Sequence, residues 1–128
     1  MIRSIILALF ATLAGCSMSR QSNPVALKRF STVDEIRVRN VTLTGPADIE
    51  RFRSIYANAF WEHFFATMPA DVVCVACFDN RNEVLTLGYG GGCLWEPGGE
   101  RVGRLDSADA EWLKRNVGDK LDVASHVL

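Results

Sequence analysis

The chain has 128 residues, of which 48% are hydrophobic, with 14 basic and 15 acidic side chains. That length holds one small domain and excludes a pair of enzymatic domains. The charge is nearly balanced and the arginines are interleaved with acids, which excludes the basic stripe needed to grip phosphate backbones, so no nucleic-acid partner is expected.

The first sixteen residues are the most specific part. Arg3 supplies a positive start, residues 5–13 form an apolar run too short to cross a bilayer, and Leu13-Ala14-Gly15-Cys16 places small residues directly before a cysteine. This pattern resembles the lipobox of bacterial lipoproteins. The resemblance implies removal of residues 1–15 and acylation of Cys16, hence a membrane partner reached through that lipid anchor. Ser17, rather than Asp, after the cysteine implies sorting to the outer membrane, with the protein facing the periplasm. An ordinary secretory signal cut near Ala14 is the competing reading. Beyond residue 16 no apolar run approaches twenty residues, so the mature part is not expected to span the membrane.

Residues 16–32 read as a lipidated N-terminus and flexible tether, residues 33–118 as one domain and residues 119–128 as a tail. From 33 to 44, Ile36, Val38, Val41 and Leu43 alternate with polar side chains across a slip at Asn40, which predicts one strand with a bulge. Pro46 then suits the first position of a helix, with Asp48 in its first turn. The pattern carries that helix to about residue 67, before Pro69. Its core stripe would be Ile49, Phe52, Tyr56, Ala59, Phe60, His63 and Phe64.

Residues 72–78 and 83–89 predict a hairpin with Asp79 opposite Glu83 and Asn82 in the left-handed turn position. Val73, Val75, Cys77, Leu85, Leu87 and Tyr89 would face the core. A glycine bend leads to Cys93-Leu94-Trp95, then a short strand around 101–105 and a helix over about 108–117, capped by Asp106 or Ser107 and stopped at Gly118. The order β-α-β-β-β-α predicts an α+β sandwich in which an antiparallel sheet of about four strands carries two helices on one face.

Three cysteines remain after Cys16. In an exported domain they suggest one disulfide among Cys74, Cys77 and Cys93, joining Cys93 to either of the others. Cys74 and Cys77 have opposite strand parity, so they should not pair with each other, and Cys74-Val75-Ala76-Cys77 lacks the helix N-terminus of a redox motif. A zinc site from His63 and the three cysteines has suitable ligand chemistry but unsupportive spacing, so no metal or cofactor is expected. His63 reads as a core histidine, and the glycines from Gly88 to Gly92 as a bend rather than a phosphate cradle.

Trp61, Phe65 and Met68 fall off the core stripe of the predicted helix. With Trp95 they form a candidate partner-binding patch, the alternative being burial under another part of the chain. The functional reading is therefore a membrane-anchored periplasmic lipoprotein that binds a protein partner without catalysis, as an inhibitor, an immunity-type factor or an accessory to an envelope complex. The alternative is a small periplasmic enzyme or metal-binding protein centred on His63 and the cysteines.

Overall fold

In a computed structural model, residues 21–63, 71–96 and 100–121 are described. The first element is a helix, α1 (Pro24–Phe30), where the sequence suggested tether. Asn23 caps it by accepting a hydrogen bond from the Val25 amide at 2.9 Å, and Pro24 occupies the first position, where its missing N–H is harmless. Phe30, at its end, is buried and stacks on Phe52.

Residues 33–44 form a hairpin rather than one bulged strand. β1 (Glu35–Val38) and β2 (Val41–Leu43) pair antiparallel, with Val38 opposite Val41 and a two-residue turn between them. Arg39 takes the left-handed conformation there, at φ 51°. Because the turn reverses the chain across the slip at Asn40, Ile36, Val38, Val41 and Leu43 still share one buried face.

Helix α2 (Pro46–Asn58) starts as expected, but it stops nine residues short of the predicted end. Ala59 is already extended, and Phe60–His63 continue as strand β3. Asn58 is a poor helix former, whereas the aromatic run after it suits a strand. The buried face of α2 is Ile49, Phe52, Ile55 and Tyr56, while Phe60 and His63 leave the predicted helical stripe altogether.

β4 (Val73–Asp79), β5 (Asn82–Gly90), β6 (Cys93–Trp95) and β7 (Arg101–Arg104) complete the sheet, and α3 (Ser107–Asn116) closes the domain. Asp106 caps α3 by accepting from the Asp109 amide at 2.8 Å. The β4–β5 register matches the expected one from Val73↔Tyr89 to Cys77↔Leu85, then shifts by one so that Asp79 meets Asn82. This irregularity lets the hairpin close through Asn80 and Arg81, both at positive φ, instead of through Asn82.

The fold is α+β, as predicted, but the described residues hold seven strands and three α-helices rather than four and two. The strand order is β2-β1-β4-β5-β6-β7-β3, with every neighbour antiparallel. The three extra strands arise where one strand proved to be a hairpin, where a helix gave way to β3, and where Cys93–Trp95 pairs as β6. One sheet face carries Ile36, Val38, Val75, Cys77, Leu87, Leu94 and Trp61, which share a single buried cluster with Phe30, Phe52, Tyr56, Leu113 and Val117 from the helices. An Arg51–Asp109 ion pair at 2.9 Å ties α2 to α3.

Candidate functional site

The face turned away from the helices is built from residues of the other parity. Reading across the strands, Cys74, Gly88, Trp95, Val102 and Glu62 form one row, and Gly90, Cys93, Arg104 and Phe60 the next. Gly88 is needed here because a Cβ would come within 2.7 Å of Val72 Cγ1 and 3.1 Å of Trp95 Cβ. Val72 and Trp95 therefore press directly on the backbone, and the Trp95 indole donates to the Gly90 carbonyl at 3.2 Å.

Across β6, β7 and β3 this face sinks into a depression of about 470 Å³ lined by Glu62, His63, Cys93, Trp95, Val102 and Arg104, among others. Its apolar wall is the edge of Trp95 with Val102, and its rim is polar. Arg104 pairs with Glu62 at 2.5 Å on the surface, a contact that stabilises by about 0–1 kcal/mol. Phe60, opposite Arg104 at the sheet margin, is 46% exposed. A smaller depression of about 250 Å³ lies where the end of α1 and the segment after it meet the start of α2, and the Glu50–Arg53 ion pair forms part of its wall.

The predicted patch does not assemble on the surface. Trp61 is wholly buried: its indole donates to the Tyr56 carbonyl at 3.3 Å, meets the Tyr56 ring edge-on at 5.2 Å and covers Gly103. Helical periodicity put Trp61 on the outside, but strand alternation puts it inside. Trp95 is also buried, on the opposite face of the sheet. Phe65 and Met68 lie outside the described residues.

The expected disulfide is not formed, because all three cysteines are free thiols. Cys77 faces the helices, while Cys74 and Cys93 face the other way. Between Cys74 and Cys93 lies the whole of β5. Two strand spacings of about 4.8 Å exceed the 4.4–6.8 Å that a disulfide permits between Cα atoms. Burial pushes the Cys77 thiol up to about 12. Burial also raises Cys93; Arg104 opposes that shift and Glu62 adds to it. Neither thiol is thus activated as a nucleophile.

His63 is exposed rather than in the core, and it shares the depression with Cys93. The structure thereby brings together two of the four proposed zinc ligands. Among the described residues no group of three or more His, Cys, Asp or Glu side chains is placed to hold a metal ion.

Comparison with protein-family models, curated proteins and solved structures gives no match. The site must be read from its own residues. Sequence reasoning missed Phe60, Glu62 and Arg104, all assigned to other surroundings by the overlong helix or passed over as ordinary charge. The available signal was the out-in-out alternation of Phe60, Trp61 and Glu62 itself, which fits a half-buried strand as well as it fits a helix.

Proposed function

We propose that this chain is a lipid-anchored protein of the bacterial envelope that binds a protein partner without catalysis, using the margin of the sheet at β3 and the depression beside it. The observation that carries the reading is Phe60, a large apolar side chain nearly half exposed on a terminal strand of the sheet, opposite Arg104, which lines that depression. Among the described residues β3 is a terminal strand of the sheet, which places Phe60 at its margin. Phe60 supplies the apolar contact, and Arg104 with Glu62 supplies the polar rim typical of a protein interface. The anchor at Cys16 keeps the domain beside the membrane where such a partner is met.

The test uses protein crosslinked in intact envelope and then purified from membranes. Phe60→Asp and Arg104→Glu are expected to lose the same crosslinked partner that Lys120→Glu, at the other end of the sheet, retains, with melting temperatures unchanged. Retention of that partner by Phe60→Asp would sink the assignment. The enzymatic or metal-binding alternative draws on His63 and Cys93 lining one depression. Stoichiometric zinc in the purified protein, lost in both His63→Ala and Cys93→Ser, would put that alternative in place of the binding reading.

A further inference from the structure

Arg101 ties the N-terminal segment to the sheet. Its guanidinium donates from Nε (2.8 Å) and from Nη2 to Glu96 Oε1, donates from Nη1 to the Gln21 carbonyl at 3.0 Å, and lies 5.4 Å from the Trp61 ring centre. Both charged side chains are largely shielded, which strengthens their bonds relative to a surface pair. Gln21 is therefore a fixed point on the domain, and α1 begins three residues later. Phe30 turns inward from α1, whereas Pro24, Val25, Lys28 and Arg29 are exposed. Val25 is 60% exposed, the helix carries two cations, and it has no acidic side chain.

Five residue steps separate Cys16 from Gln21. Even fully extended they reach roughly 17 Å, so an anchor at Cys16 leaves the domain no room to stand clear of the bilayer. We propose that α1 lies on the membrane surface, with Val25 toward the interface and Lys28 and Arg29 among the lipid headgroups, and that Arg101–Glu96 is the latch that holds the domain in this pose. The proposal rests on the lipidation reading. Anionic headgroups add to it, since two cations near such a surface favour the docked pose by about thirtyfold.

The chain contains three lysines, Lys28, Lys114 and Lys120, which makes lysine footprinting a direct probe. Lys120 sits at the opposite end of the sheet, where its carbonyl accepts a hydrogen bond from Asn40 at 2.8 Å, and serves as internal reference. Protein isolated from membranes is first weighed intact: absence of acyl chains on Cys16 overturns the lipidation reading itself. The acylated protein is then placed in phosphatidylcholine vesicles and treated with a water-soluble amine reagent, beside a variant carrying a Gly-Ser extension inserted after Ser19. The Lys28 to Lys120 modification ratio is expected to be severalfold lower in the native protein. Phosphatidylglycerol in the vesicles is expected to lower it in both. An acylated native protein whose ratio equals that of the extended variant in phosphatidylcholine overturns the docked pose while leaving the lipid anchor in place.

Discussion

Gly103→Ala is the substitution that most directly tests how β3 is held. Gly103 is buried in β7 opposite Trp61, and a Cβ there would lie 2.9 Å from Trp61 Cε2 and Cζ2 and 3.0 Å from Cδ2. Real Cβ contacts are wider, so the indole has to move. It is confined by Tyr56 on one side and by Arg101 on another, and shifting it stretches the bond from its nitrogen to the Tyr56 carbonyl. Forced overpacking of this kind costs about 1–3 kcal/mol. In a domain of this size each 1 kcal/mol lowers Tm by roughly 4–8 °C, so a fall of about 5–20 °C is expected by calorimetry or circular dichroism. Gly91→Ala is the control: it meets no atom within 4 Å, so its cost comes from φ of +60° alone, about 1 kcal/mol. Combining Gly103→Ala with Trp61→Phe should destabilise by less than the sum of the two, because the smaller ring relieves the clash. A Gly103→Ala protein as stable as the parent, or strict additivity in the double variant, would show that the indole does not press on this backbone.

The thiols should react in the order of their exposure: Cys74 at once, Cys93 slowly, and Cys77 only after denaturation, as read by titration with a chromogenic disulfide. A second thiol lost in native oxidised protein would contradict the separation of the three. Because Cys77 rises from 9.0 in the unfolded chain to about 12 when folded, the unfolded state releases its proton first. The stability this thiol contributes is complete below pH 9 and drains away between 9 and 12, at no more than about 1.4 kcal/mol per pH unit. Burial raises the Tyr56 and Tyr89 hydroxyls in the same direction, so Cys77→Ala should flatten the alkaline decline only in part. Arg51→Ala leaves Asp109, whose carboxyl burial already pushes up against the opposing pull of Arg51, without its ion pair. It should cost about 1–3 kcal/mol at neutral pH. That cost should shrink as pH falls and the carboxyl is protonated, and Asp109→Asn in the same chain should recover part of it; an equal cost at both pH values would refute the pairing.

Where one face of a strand is buried, side-chain alternation was a sufficient guide. The inward set of β4 and β5 was legible because Val73, Val75 and Cys77 oppose Tyr89, Leu87 and Leu85 whatever happens at the turn. The Pro46 start was legible, and the start of α3 was narrowed to a cap at Asp106 or Ser107, because local chemistry decides them. The end of α2 was not, since Ala59 to His63 satisfies a helical stripe and a strand equally, and pairing with β7, some forty residues away, settles the matter. The β1–β2 turn was hidden because it asks Arg39 to adopt a conformation more often taken by Gly or Asn. The binding surface inherited both difficulties: with the helix too long, Trp61 was placed outside and Phe60 inside, the reverse of where they lie.

The chain order of the sheet carries a consequence for how the protein is made. β4 to β7 are consecutive neighbours, while the earlier strands add to both flanks of that meander, β1 and β2 beside β4 and β3 beside β7. The β1–β2 hairpin and β3 therefore cannot join the sheet until the second half of the polypeptide exists, and α2 becomes a clasp reaching from one flank to the other. As the chain is synthesised, Trp61 stays without its β7 neighbour until residue 104 has appeared, and Leu113 and Val117 complete the core around it only after that.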